Sequence, residues 1–354
     1  MKISYACYWN MSAGDGVADK IRTQLGRWRE AGHDAELFFL TPRGAAEDAE
    51  STGQFEHPFP FSTVVDRVRA TWRLAAAVRR RRADLVYLRY DLFAPPLLRA
   101  FGDSALVVEL NSNVGAELAA RSHNAARYER LQRRVLLRRL DGAVAVTHEL
   151  AQELRRARPD LPIAVISNGI ELGPERPPTR GAPSPPRLVY VGEGVYWQGI
   201  DKIHELARAF PAWEFDLVGV ASDGAPPNVT SHGFLAHEAY TPILARADIG
   251  LGTLALHRKH MDEACPLKVR RYLEFGLPVV LGYTDTDLSG REPPPWWNLQ
   301  LPNDETNVRD NLAEIAAFVA SAAGRRVERS EVEPLVSAAA KETARLEFFR
   351  RVRR

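Results

Sequence analysis

Short apolar runs alternate with amphipathic helical patterns along almost the whole chain, and this alternation narrows the fold more than any other feature of the sequence. Strand-like runs fall near 2–8, 35–40, 84–89, 105–110, 143–147 and 163–166. Between the first two, Val17–Ala31 places Val17, Ile21, Leu25 and Trp28 on one helical face and stops at Gly32, a residue suited to ending a helix. Such an order predicts a doubly wound α/β sheet. The stretch 173–187 then interrupts it with Pro174, Pro177, Pro178, Gly181, Pro183, Pro185 and Pro186. Proline lacks a donor and fixes φ, so neither a helix nor a central strand runs through this stretch, and it reads as a linker. A second series follows, with strands at 188–192, 214–220, 229–232, 248–253 and 278–282 and helices at 200–209, 237–246 and 267–275. Two Rossmann-like units are therefore expected, over 1–172 and 188–325. Helices are expected near 306–323 and 331–352, with the segment 326–354 returning to pack on the first unit.

A length of 354 residues allows two cores of ordinary size. The net charge of +2 is too small to suggest a nucleic-acid partner. The only cysteines, Cys7 and Cys265, lie far apart, which fits a reducing compartment. No leader is visible, and no apolar run approaches the roughly 20 residues that span a bilayer. A cytoplasmic protein is expected. The arginine-rich stretch from Arg67 to Arg82, with Phe59, Phe61 and Trp72 nearby, is either a solvated face or a contact for an anionic membrane surface.

Chemistry concentrates in Glu263–Val280. This segment reads as a charged loop, a short helix beginning after Pro266, a stop at Gly276 and a buried strand. The order places Glu263, Leu267 and Lys268 around a helix N-terminus at the edge of a parallel sheet, where phosphate esters are commonly held. Gly14 and Gly16 precede the first helix, and Gly192 and Gly194 follow the first strand of the second series. Each pair is either a tight turn or a close approach for a pyrophosphate. Glu109 and Asn111 end a strand on the side where such folds bind ligands, and Arg89 ends its neighbour. These three either meet a sugar hydroxyl or, for Arg89 and Glu109, pair across the strand ends. His123 and His148 are further candidates for orienting a substrate or handling a proton. Asp285-Thr286-Asp287 reads as a loop rather than a metal site.

Several segments, in order, resemble glycosyltransferase family 4. They include Gly14-Asp15-Gly16-Val17, Val108-Glu109-Leu110-Asn111, Val165-Ile166-Ser167-Asn168-Gly169, Trp197-Gln198-Gly199 and Glu263 through Glu274. The likeness covers roughly residues 1–290 and is nearest to the cell-surface polysaccharide and natural-product transferases. It implies the GT-B fold, two Rossmann-like domains facing each other across a cleft. It also implies retaining, metal-independent transfer from a nucleotide-diphosphate sugar to a hydroxyl of a glycan, lipid-linked glycan or small molecule, without a cofactor. By this resemblance Glu263 meets the donor sugar, and Lys268, Pro266, Leu267 and the glycines hold the donor phosphates. Acceptor recognition falls to the first domain. The leaving phosphate takes the acceptor's proton.

Three positions depart from the family pattern. Arg271 stands where a second glutamate clamps the ribose, and Glu193 and Gln198 stand where two cations neutralise the pyrophosphate. Guanidinium only donates hydrogen bonds, so Arg271 cannot replace a carboxylate clamp. Glu274, one turn on, either reaches the ribose or pairs with Arg270 or Arg271. The exchange motivates two readings: Arg271 takes over phosphate neutralisation, or the protein is a non-catalytic GT-B shell that binds a nucleotide or glycan.

Overall fold

A computed structural model describes residues 1–10, 15–43, 53–174, 185–221, 224–291 and 294–353. Gly14 and most of the expected linker, residues 175–184, lie outside the described residues. The chain forms two compact units, Met1–Ser167 with Ala339–Arg354, and Asn168–Ala338.

The first unit is built on a seven-stranded parallel sheet of order β3-β2-β1-β4-β5-β6-β7. Its strands are β1 (Lys2–Tyr8), β2 (Asp34–Pro42), β3 (Glu56–Phe61), β4 (Leu85–Arg89), β5 (Ala105–Leu110), β6 (Gly142–Ala145) and β7 (Ile163–Val165). Between them run α1 (Gly16–Glu30), α2 (Val64–Arg81), α3 (Val114–Arg121), α4 (His123–Leu137) and α5 (His148–Ala157). The β3 strand was not anticipated, because Pro58 and Pro60 argue against a strand; it forms at the sheet edge, where missing N–H groups cost little. The core centres on Tyr5, Trp28 and Tyr87, whose rings meet at 5.1–5.9 Å. Phe349, from the last helix of the chain, packs on Trp28 and Tyr87 at 5.4 and 5.0 Å.

The second unit has a six-stranded parallel sheet of order β10-β9-β8-β11-β13-β15. The strands are β8 (Arg187–Val191), β9 (Glu214–Val218), β10 (Val229–Ser231), β11 (Ile249–Leu251), β13 (Val279–Leu281) and β15 (Asn298–Gln300). A separate two-stranded ladder joins β12 (Glu263–Ala264) to β14 (Thr284–Asp285). Helices α6 (Ile200–Ala209), α7 (His237–Arg246), α8 (Leu267–Glu274), α9 (Leu312–Ala322), α10 (Arg329–Val336) and α11 (Ala338–Val352) complete the chain. Gly276 ends α8 at φ +65°, a left-handed geometry in which an L side chain is strained. The single helix expected over 331–352 is broken at Ser337. There the Val336 carbonyl accepts from Ile170 N–H at 2.8 Å, and Ala338 N–H donates to the Ile170 carbonyl at 2.9 Å. The bonds of this bridge replace those of a continuous helix.

Both sheets reverse strand order once, between β1 and β4 in the first unit and between β8 and β11 in the second. Ligands of doubly wound folds bind outside the carboxyl ends of the strands at such a switch point.

Candidate donor-binding site

The second switch point is occupied by residues that converge from four segments. Helix α8 buries Val269, Arg270, Tyr272 and Leu273, which leaves Lys268, Arg271 and Glu274 as a partly open stripe at three-residue spacing. Tyr272 fixes the helix to the sheet: its hydroxyl accepts from Val191 N–H at 2.7 Å and donates to the Leu251 carbonyl at 3.2 Å. The helix is thereby tied to the ends of both β8 and β11. Arg270 is wholly buried and held by Asp285 and Asp287, with 2.8 Å from Nη2 to Asp285 Oδ1. The acidic pair read as a loop is thus a clamp on α8, and Asp285 belongs to the short strand β14.

Lys268 donates to Gln198 Oε1 at 2.8 Å, and its Nζ lies 3.9 Å from the Tyr190 ring centroid. Thr253, just beyond β11, donates to the same amide oxygen at 2.8 Å. Among the described residues no carboxylate pairs with this ammonium. Burial pushes its pKa down to about 7, and the charge of Glu193 only partly opposes the shift. Gly192 makes room for it: at φ +146°, a Cβ there would stand 2.8 Å from Lys268 Nζ. Gly194 is exposed in the same turn. The N-cap of α8 is Pro266, and no side chain caps this helix end. A cation without a counter-ion therefore stands beside an uncapped helix N-terminus, an arrangement that favours a bound anion.

Glu263 is buried on β12, two residues before Cys265. Asn168 anchors that loop, its Nδ2 donating to the Cys265 carbonyl at 2.6 Å and its backbone N–H to Cys265 Sγ at 2.9 Å. Glu274 divides its oxygens between Gly173 N–H at 2.9 Å and Arg271 Nη1 at 2.5 Å. Of the two roles open to Glu274, the structure shows the ion pair.

Residues 14–174 match the family model of Glycosyltransferase Family 4. The matched stretch falls almost wholly within the first unit. No curated protein matches the chain. Among solved structures, sucrose-phosphate synthase from Thermosynechococcus elongatus aligns over 99% of this chain and 99% of its own, with TM-score 0.71 and 15% identity. The lipopolysaccharide outer core galactosyltransferase WaaB, in its apo form, aligns over 99% and 100%, with TM-score 0.66 and 12% identity. An α-glucosyltransferase in complex with UDP-glucose and DNA containing an abasic site gives 99% and 99%, TM-score 0.62 and 11% identity. The fold is GT-B.

In the first unit the expected residues take other parts. Glu109 is fully buried and surrounded by cations. Lys20 Nζ stands 3.0 Å from its Oε1, Arg345 Nη2 3.5 Å from the same oxygen, and Arg89 Nη1 3.5 Å from Oε2. Tyr5 and Asn111 each donate to Oε2 at 3.1 Å. Burial opposes its charge, yet Lys20, Arg345 and Arg89 hold the carboxyl well below the usual range. These five partners take up both oxygens, so of the two readings the pairing with Arg89 is the one seen, and Glu109 is a buried anchor for Arg89 and Asn111 rather than an acceptor contact. Asn111 also accepts from Lys20 at 2.9 Å. Gly16 is the first residue of α1. Asp15 caps α1 by accepting from Val17 and Ala18 N–H at 2.7 and 3.2 Å, so this helix end already carries a carboxylate.

Sequence reasoning missed Lys20, Arg345 and Tyr190, and it set Arg270 against Glu274 rather than Asp285 and Asp287. The signal for Lys20 was available, since it sits on the apolar face of α1 beside Ile21 and Gln24.

Proposed function

We propose that the protein is a retaining glycosyltransferase that moves a hexosyl group from a nucleotide-diphosphate sugar to an acceptor hydroxyl without a metal. The observation that carries this is the Lys268 ammonium at the switch point, hydrogen-bonded to a neutral amide and adjoining the uncapped start of α8. In this reading Lys268 and the α8 N-terminus hold the diphosphate, against the turn at Gly192 and Gly194. Pro266 and Leu267 shape the helix entry, and Glu263 accepts from hydroxyls of the donor sugar. Preorganised charge at the leaving phosphate is the main catalytic contribution, as the phosphate itself receives the acceptor's proton. Arg89 and Asn111 contact the acceptor. UDP-glucose bound to the α-glucosyltransferase relative supports a uridine donor.

Thermal stabilisation by UDP, GDP, dTDP and ADP, each with and without its sugar, tests the reading. A ligand at 100 times its Kd adds about 2.7 kcal/mol, so even modest affinity is visible. No shift with any of them rejects it. A second reading, a non-catalytic nucleotide or glycan binder, is favoured by the pairing of Arg271 with Glu274, which leaves no glutamate clamp at 271. Donor hydrolysis at high enzyme concentration separates the two. An Arg271→Glu variant that binds nucleotide as tightly as the parent removes any role of Arg271 in phosphate neutralisation.

The place of action follows the same reading: cytoplasmic, with peripheral contact at an anionic membrane. Among the described residues no helix is long and apolar enough to cross a membrane. Helix α2, however, exposes Val64 at 81%, Val65 at 61% and Trp72 at 45%. Arg69 and Arg73 are exposed among them, which suits an interfacial helix. Co-sedimentation with anionic but not zwitterionic vesicles, lost in Trp72→Ala, is the expected result.

A further inference from the structure

A cavity of about 330 Å³ lies in the first unit, in the wall formed by α3 and α4. His123, Arg127, Arg130 and Arg133 line it, with Glu129 and Gly115. Its position follows from two anchors at the carboxyl edge of the sheet. Tyr90, the residue after β4, donates to Glu129 Oε1 at 2.5 Å. Asn113, three residues after β5, caps α3 by accepting from Ala116 N–H at 3.0 Å. The cavity therefore adjoins the strand ends where α/β folds take their ligands.

Its chemistry is mixed in a particular way. Arg133 is already paired with Glu153 at 2.8 Å. Arg127 and Arg130 are exposed, and among the described residues neither makes an ion pair. Glu129 is buried, and its Oε2 lies so close to Gly115 that a Cβ there would stand 3.2 Å away. A side chain at 115 would crowd this oxygen; glycine leaves space beside it. Two arginines free to take an oxyanion thus share one cavity with a buried carboxylate able to accept from hydroxyls. A simple anion would use only the first half of this arrangement, and a neutral sugar only the second.

We infer that this cavity seats a sugar or polyol carrying a phosphate, its oxyanion on Arg127 and Arg130 and a hydroxyl on Glu129. That this ligand is the acceptor rests on the transferase reading; that it binds here does not. Isothermal titration with hexose phosphates, myo-inositol phosphate, the parent sugars and inorganic phosphate tests it. At least one sugar phosphate is expected to bind about tenfold or more tightly than either its sugar or phosphate alone. The double variant Arg127→Ala/Arg130→Ala is expected to lose about tenfold or more of that affinity. Arg134→Ala, exposed on the same helix outside the cavity, is expected to leave it unchanged. Binding of no sugar phosphate, equal binding of sugar and sugar phosphate, or an equal loss in Arg134→Ala overturns the inference. A parallel titration with UDP keeps the two readings apart. Nucleotide binding without sugar-phosphate binding removes the cavity's role and spares the transferase; the reverse result does the opposite.

Discussion

Each sheet has a lysine at its switch point, Lys20 on the helix after β1 and Lys268 on the helix before β13, and the two differ in the charge that surrounds them. Burial pushes the first down to about 8 and the second to about 7. Lys20 has the Glu109 carboxylate at 3.0 Å, within a cluster that continues through Arg345 to Glu342. Glu342 in turn accepts from Trp28 Nε1 at 2.8 Å. Lys268 has the neutral oxygen of Gln198 instead. The helix ends repeat the contrast, α1 being capped by Asp15 and α8 by no side chain. The first switch point carries its own anions and is a structural joint. Among the described residues no carboxylate is bonded at the second, and a ligand can supply the anion.

The largest expected effect comes from making the first site resemble the second. Glu109→Gln leaves Lys20, Arg89 and Arg345 facing an amide, and removing one partner of a buried ion pair costs about 3–5 kcal/mol. Urea unfolding should show a loss of that order at pH 7. Loss of the proton from Lys20 relieves the repulsion, so the deficit should shrink toward pH 9. An unchanged midpoint would mean the cluster is not the joint described.

Next in size is Lys268→Met. Nucleotide affinity by titration should fall about 10- to 100-fold, the worth of a charge-assisted hydrogen bond. The empty protein should be no less stable than the parent, because a buried cation without a counter-ion is removed. Lys20→Met, by contrast, should destabilise. Equal destabilisation by both would erase the distinction between the sites.

How much of this contrast was legible in the sequence depends on whether charge balance is local. Lys268 stood out because Pro266, the helix pattern and Gly276 lie within eleven residues of one another. The alternation of strands and helices likewise marked both sheets, since hydrophobic period is a local property. Lys20, Glu109 and Arg345 are brought together only by the sheet and the returning C-terminal helix, so no window of sequence contains the cluster. Glu109 therefore read as an acceptor contact or a partner of Arg89, with no sign of Lys20 or Arg345. Gln198 read as a lost cation, whereas its amide oxygen joins Thr253 to Lys268. Side chains that act through contacts distant in sequence were the ones misassigned.

Gln198→Glu makes the second site resemble the first. A carboxylate at this place supplies the missing anion and raises the pKa of Lys268. Nucleotide affinity should drop about tenfold as the new charge competes with the diphosphate, while the unliganded protein gains thermal stability. A variant that binds nucleotide as well as the parent would show that Lys268 does not meet the phosphates.

The smallest effect is the pH dependence of the empty protein. An unfolded lysine titrates near 10.4, and Lys268 in the fold near 7. Between these values the unfolded chain holds more protons, so stability rises with pH across the window and the penalty is fully present below it. Lys20 adds a rise of the same sign, but only above about 8. The interval from pH 7 to 8 therefore isolates Lys268, at about 1 kcal/mol or less given its partial exposure. Lys268→Met should flatten that interval and leave the rise above pH 8 in place. Saturating nucleotide should flatten it in the parent too, because a bound diphosphate keeps the ammonium charged. UDP binding at pH 8 should then take up a proton, which titration in buffers of different ionisation enthalpy reads directly. Binding without proton uptake would mean that the diphosphate leaves Lys268 untouched.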